Sequence, residues 1–155
     1  MTALCSELIS AMAGKTLVTA ESCTGGGIGA ALTAVPGSSR VYKGGIISYT
    51  NWVKERFLHV DGALLDRVGA VSGPVAEAMA KGAREGMEAD AAISVTGLAG
   101  PAGDDFGNAV GTVFIGYSDR ERTLSREYHF PGSREQVRFA AAEAAVRLAL
   151  EMQRK

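Results

Sequence analysis

Residues 16–35 read TLVTAESCTGGGIGAALTAV, and this stretch decides the fold. It begins with a short apolar run, Thr16 to Ala20, which is typical of a buried strand. Three glycines at 25–27 then indicate a turn, and the residues from Ile28 to Val35 favour a helix. A strand that passes through a tight turn into a helix is typical of α/β proteins, in which functional groups collect at the carboxyl ends of strands.

The rest of the chain extends this unit into one domain over residues 1–155. Apolar spacing and capping residues predict the helices, and short apolar or β-branched runs predict the strands. The predicted helices are one through Leu4, Leu8, Ile9 and Met12 that ends at Gly14, one at 51–58 capped by Asn51, a short one at 63–68, one from Ser72 to about Met87, and a final helix that opens with the capping box Ser133–Gln136. The predicted strands are a β-rich segment at 41–50, a strand at 91–96, and a hairpin of 113–117 and 123–130. We predict a single three-layer α/β/α domain with a mixed, mostly parallel sheet.

Charge and composition argue against several classes of protein. The chain has 16 basic and 17 acidic residues, and no long basic run, so we expect no nucleic-acid partner. No segment approaches the roughly 18 apolar residues of a membrane span, so we expect no membrane partner. The opening residues MTALCSELISAMAGK lack the basic segment of a signal peptide, which predicts a cytoplasmic protein. Cys5 and Cys23 fit neither a disulfide framework nor zinc spacing, and no metal is expected.

The glycine pattern of residues 25–30 also matches G-x-G-x-x-A, the phosphate-binding turn of dinucleotide folds. Such a fold requires a carboxylate at the end of the next strand for the ribose, and residues 44–49, GGIISY, contain none. A tight turn with close helix packing explains the glycines equally well. We therefore expect no cofactor, although a helix N-terminus at this point would still favour an anion.

Ser22, directly before these glycines, is a candidate nucleophile, but a serine hydroxyl needs a base. His59 and His129 lie in no triad context. Lys54 can act as the base if burial lowers its pKa, and it shares a helical face with Asn51, although most helix lysines are solvated charges. Cys23 is a rival nucleophile, although a lone cysteine at a strand end is more often a packing residue.

Two further segments can contact a ligand. Residues 96–103, TGLAGPAG, follow a buried strand and present backbone N–H groups with little side-chain cover, as an oxyanion-binding or phosphate-binding loop does. An ordinary flexible connection fits the same composition. Arg134 and Arg138 lie one turn apart at the start of the final helix, either as ligand-binding cations or as surface charges.

Taken in order, six stretches resemble the CinA C-terminal domain family, which includes stand-alone nicotinamide-nucleotide amidohydrolases. The stretches are AESCTGG, GGIISYTNWVK, GAVS, TGLAGPAG, VGTV and FPGSREQVR, and the resemblance extends from about Ser6 to Met152. Larger members of the family carry an additional N-terminal domain. The family often has an acidic or bulky polar residue after GAVS, where this chain has Gly73.

The resemblance implies a role for individual residues. Ser22 matches the family's nucleophile, Lys54 the general base, and Tyr49 a residue that orients or relays the proton. Backbone N–H groups at 24–26 would stabilise the oxyanion. The substrate-binding residues implied or inferred in this way are Thr24, Gly25, Gly26, Asn51, Thr96, Gly97, Gly100, Arg134 and Arg138.

The function implied is hydrolysis of the carboxamide of nicotinamide mononucleotide to nicotinic acid mononucleotide and ammonia, without a metal or cofactor. A non-catalytic nucleotide-binding or regulatory module that uses the same pocket is the alternative, as is an amidohydrolase for a related amide. A homo-oligomer is also expected, with the apolar helices and Trp52 as candidate interface residues.

Overall fold

Five strands form one sheet, whose order explains where the carboxyl ends of strands meet. The computed structural model describes all residues, 1–155. The strands are β1 (Leu17–Glu21), β2 (Tyr42–Ile47), β3 (Ala91–Gly97), β4 (Thr112–Ser118) and β5 (Thr123–His129), arranged β2-β1-β3-β4-β5. β1 pairs in parallel with both β2 and β3, whereas β3–β4 and β4–β5 are antiparallel. The predicted mixed sheet is confirmed, with its parallel part at the core.

Helices cover both faces of this sheet, which confirms the three layers. One face carries α1 (Thr2–Ala11), α2 (Gly27–Thr33) and α6 (Arg134–Gln153), and the other carries α3 (Asn51–Leu58), α4 (Gly62–Val68) and α5 (Gly73–Gly86). A short 3₁₀ turn, Ser38–Arg40, precedes β2. Because both faces are covered, β1 is buried at every position, and β3 is buried from Ala91 to Thr96.

Two apolar clusters fill the spaces between the layers. The larger lies under α1, α2 and α6 and includes Leu8, Ile28 and Leu148, all almost inaccessible to solvent. The smaller lies under α5 and joins Met79 to Leu58 of α3. Each such buried side chain contributes about 1.5–3 kcal/mol relative to its exposed state, so these clusters supply the main force that holds the layers together.

Two of the three capping residues that the sequence predicts begin their helices as expected. Ser72 accepts a hydrogen bond from the Val75 N–H, and the Ser133–Gln136 capping box is complete. The prediction that Asn51 caps α3 is wrong. Thr50 has an extended backbone and its hydroxyl accepts from the Val53 N–H, so Asn51 is already the first helical residue.

The carboxyl ends of β1, β2 and β3 lie at one edge of the sheet because these strands are parallel. The chain leaves β1 for α2 on one face and leaves β2 for α3 on the other. Connections that diverge in this way open a crevice at the strand ends, which is where α/β proteins bind ligands.

Several large apolar side chains remain exposed outside the core. Trp52 and Phe57 of α3 form an edge-to-face pair with ring centroids 5.9 Å apart, and both are more than half exposed. The expected homo-oligomer stays a prediction.

None of the helices combines the length and the apolar content needed to cross a membrane.

We predict that Gly82→Ala destabilises the protein by about 3 kcal/mol, because a Cβ atom at Gly82 would overlap the backbone carbonyl of Leu58, where α5 packs on the end of α3. Gly86→Ala, in the last turn of the same helix, is the matched control. A Cβ atom there meets nothing within 4 Å, so we expect no loss, or a gain of up to about 1 kcal/mol from helix propensity. Urea unfolding of both variants measures the difference. Equal stabilities would contradict this account of the α3–α5 contact.

Candidate active site

An open cleft of about 340 Å³ lies at the carboxyl ends of the parallel strands. It brings together eight of the residues predicted from the sequence, which come from four separate segments of the chain. They are Ser22, Tyr49, Asn51, Lys54, Thr96, Gly97, Gly100 and Arg134. The other four predicted residues, Thr24, Gly25, Gly26 and Arg138, do not line the cleft.

Ser22 and Lys54 form the central contact of the cleft. Nζ of Lys54 lies 3.1 Å from Oγ of Ser22 and donates a hydrogen bond of 2.7 Å to the carbonyl oxygen of Ser48. Ser22 follows β1 directly, and its N–H donates to Val95 of β3, so the serine is tied to the centre of the sheet. Lys54 projects from the first turn of α3, whose start is set by the Thr50 cap.

Lys54 is only 2% exposed, unlike the solvated lysine that is usual on a helix. Burial lowers the pKa of its amine to about 8 and outweighs the opposing electrostatic effect of Cys23. No carboxylate lies within ion-pair distance of Lys54 to stabilise the ammonium form. A pKa of about 8 leaves about a tenth of the molecules with a neutral amine at pH 7, which is enough to supply a general base.

Cys23 also lines the cleft, but its chemistry is different. Burial raises the pKa of its thiol to about 11, although Arg138 and Lys54 both favour the thiolate. A thiol with this pKa remains protonated at neutral pH, and the thiolate is the reactive form. Of the two candidate nucleophiles at the end of β1, only Ser22 has a contact that can activate it.

The mouth of the cleft is formed by Tyr49 and Arg134. The Arg134 guanidinium donates to the carbonyl oxygen of Gly100 and, at 3.1 Å, to the phenol oxygen of Tyr49. Tyr49 is 59% exposed and its hydroxyl has no direct contact with Lys54 or Ser22. Asn51, beside it, is exposed and its side chain has no hydrogen-bond partner in the protein.

The wall opposite Lys54 comes from the end of β3. The Thr96 hydroxyl donates to the carbonyl oxygen of Ala70, so it fixes the wall and its hydrogen is not free. At Gly97 a Cβ atom would lie 2.7 Å from the Val113 side chain, which explains the requirement for glycine. Sequence reasoning assigned no role to the adjoining apolar residues Ala70 and Val71, although they lie within the GAVS stretch.

Glu21, which sequence reasoning missed, organises the turn that follows Ser22. Its carboxylate is 2% exposed and accepts hydrogen bonds from the Thr24 hydroxyl and from the N–H groups of Ile28 and Gly29. It therefore fills the N-terminus of α2 with an internal negative charge. The expectation that this helix end favours an external anion is wrong for that reason, and the dinucleotide interpretation loses its phosphate site.

The turn itself uses one of the three N–H groups, at 24–26, that the sequence suggests for an oxyanion. The Gly25 N–H donates to the carbonyl oxygen of Ser22 at 3.0 Å and is not free. The N–H groups of Cys23 and Thr24 donate to no protein acceptor. Gly25 and Gly26 have φ of 58° and 97°, a backbone conformation that favours glycine.

Arg138 reaches this turn from α6, without lining the cleft. Nε donates to the carbonyl oxygen of Cys23 at 3.0 Å, and Nη2 donates to that of Thr24 at 3.2 Å. Thus Arg134 and Arg138, one helical turn apart, have different surroundings: the first lies in the cleft and the second holds the backbone beside it.

Comparison with known proteins identifies the family of the chain. The CinA C-terminal domain model matches residues 2–153. A CinA-like protein of Synechococcus sp. (strain CC9902) is 54% identical over 109 residues, 70% of this chain and 26% of the relative. A CinA-like protein of Mycobacterium tuberculosis (strain H37Ra) is 44% identical over 144 residues, 92% of this chain and 34% of the relative. The chain thus spans about a quarter to a third of these curated relatives.

Solved structures extend the likeness to the whole fold. A competence-damaged protein (CinA) superfamily protein from Klebsiella pneumoniae has a TM-score of 0.96 and 31% identity, covering 99% of this chain and 97% of that protein. The competence/damage inducible protein CihA from Agrobacterium tumefaciens has a TM-score of 0.94 and 35% identity, covering 99% and 95% respectively. With its motifs, its fold and these likenesses in agreement, the chain belongs to the CinA C-terminal domain family.

Proposed function

We propose that the cleft hydrolyses the carboxamide of nicotinamide mononucleotide, giving nicotinic acid mononucleotide and ammonia. The observation that carries this proposal is the 3.1 Å contact between Nζ of the buried Lys54 and Oγ of Ser22. A serine beside a lysine whose pKa is lowered by desolvation forms a nucleophile and its general base.

In the first step the neutral Lys54 amine accepts the proton of the Ser22 hydroxyl as Oγ attacks the carboxamide carbon. The carbonyl oxygen becomes an oxyanion, for which the free N–H groups of Cys23 and Thr24 are the nearest backbone donors in sequence. A hydrogen bond to a developing oxyanion typically lowers the barrier by about 3–4 kcal/mol per donor. The carbonyl oxygen of Ser48 orients the amine for this transfer.

In the second step the C–N bond breaks. The Lys54 ammonium supplies the proton with which the amide nitrogen leaves as ammonia, and Ser22 remains esterified. Tyr49 relays this proton if the phenol moves toward the leaving group, since its hydroxyl contacts Arg134 in the free protein. Water, deprotonated by the neutral lysine, then hydrolyses the ester and regenerates the Ser22 hydroxyl.

The charge of the cleft favours an anionic substrate. Its lining includes Arg134, which is always charged, and Lys54, which is a cation except when it acts as the base, and no aspartate or glutamate. Arg134 at the mouth can bind a phosphate or ribose, because a guanidinium offers five donors and uses two of them within the protein. A volume of about 340 Å³ is within the usual range for a small-molecule site.

We predict that Ser22→Ala abolishes ammonia release from nicotinamide mononucleotide and retains nucleotide binding, because it removes the attacking oxygen and leaves Arg134 in place. A coupled ammonia assay and calorimetric titration measure the two properties. Ser39→Ala, at an exposed serine remote from the cleft, is the control and keeps full activity. Turnover by Ser22→Ala would exclude this nucleophile. Nucleotide binding without ammonia release by the unmodified protein would support the non-catalytic alternative.

We predict that kcat/KM rises about tenfold per pH unit below pH 8 and levels off above it. The reason is that only the neutral amine of Lys54, whose pKa is about 8, accepts the serine proton. Initial rates between pH 6 and pH 9.5 check this. Lys54→Met removes the dependence together with most of the rate. A wild-type rate that is constant from pH 6 to pH 9 would contradict the role of Lys54 as the base.

We also predict a stability effect that does not depend on turnover. Lys54 has a pKa of about 8 in the folded protein and an ordinary value of 10.5, so the unfolded chain binds more protons between these values. The contribution of Lys54 to the free energy of unfolding therefore has its full value above about pH 10.5. It decreases as the pH falls toward and through 8, by about 3 kcal/mol in total. Urea unfolding at a series of pH values gives the free energies of unfolding of the wild type and of Lys54→Met. The difference between the two isolates the contribution of Lys54, because the titrations of the other groups cancel. A difference that does not change with pH would place Lys54 in solvent.

A further inference from the structure

Arg138 makes a contact that substrate binding does not explain. Its guanidinium extends from α6 to the turn after β1, more than 100 residues away in sequence, and donates to two successive carbonyl oxygens, those of Cys23 and Thr24. Nη2 also lies against Gly25, where an added Cβ atom would be 3.4 Å from it. A planar guanidinium with two engaged donors fixes direction as well as distance.

The direction matters because a peptide unit is planar and trans. When the carbonyl of Cys23 points toward Arg138, the N–H of Thr24 in the same peptide unit points the opposite way. That N–H donates to no protein acceptor. Arg138 therefore sets the direction of a free backbone donor two residues after Ser22.

This peptide unit is the one that the turn itself holds least firmly. The turn from Ser22 to Gly25 is closed by a hydrogen bond between its first and last residues, at 3.0 Å. The Cys23–Thr24 peptide lies between them and takes no part in that bond, and rotation of this central unit is what distinguishes turn types. On one side Glu21 binds the Thr24 hydroxyl, and on the other Arg138 binds the carbonyl.

We propose that Arg138 is a positioning residue for the reaction, a role that rests on the proposed amide hydrolysis. It holds the Cys23–Thr24 peptide, which borders the cleft through Cys23, so that the Thr24 N–H faces the carbonyl oxygen under attack by Ser22. Arg134 contacts the substrate in the cleft, whereas Arg138, one turn later on α6, acts on the substrate only through the backbone of the turn.

The test compares Arg138→Met with Arg147→Met, a control in which an exposed arginine of α6 loses its contact with Glu143, away from the cleft. We expect Arg138→Met to lower kcat about 10-fold to 100-fold on nicotinamide mononucleotide, with KM changed less than about threefold, because only the transition state carries the oxyanion. The control keeps both values. A raised KM with unchanged kcat would make Arg138 a substrate ligand and overturn the proposal, as would unchanged values of both.

Chemical rescue separates positioning from a general structural role. Arg138 is an exposed residue, so millimolar guanidinium can enter the space left in Arg138→Ala and is expected to raise the kcat of this variant toward the wild-type value. Lack of rescue in a variant that remains folded by circular dichroism would overturn the proposal. Ser22→Ala shows no rescue, because the attacking oxygen itself is missing.

A measurement without turnover distinguishes this proposal from the proposed function. The backbone ¹⁵N–¹H resonance of Thr24 is expected to shift in Arg138→Met and to stay in place in Arg147→Met. If the unmodified protein releases no ammonia and this shift is present, the amide hydrolysis fails and the turn's dependence on Arg138 remains. If the protein is active and the Thr24 resonance is unchanged in Arg138→Met, the positioning role alone is overturned.

Discussion

The removal of the Lys54 amine from water is the constraint on which the site depends. An ammonium group in this position would have one carbonyl oxygen and one hydroxyl oxygen as partners and no counterion, so its charged form is disfavoured. The amine is buried because α5 and the sheet enclose α3 from one side. The Ser48 carbonyl oxygen offsets part of the cost, because it accepts a hydrogen bond from the amine. A lysine of the same helix that faced solvent would keep its proton and could not accept one from serine.

The turn after β1 shows how a fold can hold a polar backbone loop in place with few atoms. On one side of the turn, the Glu21 carboxylate accepts hydrogen bonds from a hydroxyl and from backbone N–H groups. On the other side, the Arg138 guanidinium donates hydrogen bonds to backbone carbonyl oxygens. Two adjacent positions with positive φ, at Gly25 and Gly26, lead the chain from the turn into α2. The result is a turn in which the Gly25 N–H is bound internally and the N–H groups of Cys23 and Thr24 have no acceptor in the protein.

Parallel pairing accounts for the meeting of distant segments. Residues after β1, β2 and β3 converge because these three strands end at the same edge, and the antiparallel strands β4 and β5 contribute mainly packing. The charge of the cleft comes from Lys54 of α3 and from Arg134 of α6, which follows the antiparallel strand β5. The carboxylate nearest the nucleophile, Glu21, is turned inward to α2, so the cations of the cleft are not neutralised there.

The sequence by itself determined the layers, most helix starts, the β4–β5 hairpin and eight of the twelve residues assigned to the site that line the cleft, since these depend on local periodicity, capping and motif order. It pointed to Ser22 and Lys54 as a pair, but the burial that lowers the lysine pKa comes only from the packing of α3. Tertiary structure alone decided that Glu21 fills the end of α2, that Gly25 has no free N–H, and that Arg138 holds the backbone while Arg134 lies in the cleft. Two arginines four residues apart look alike in sequence, because what separates them is a contact with residues more than 100 positions away, which no local pattern records.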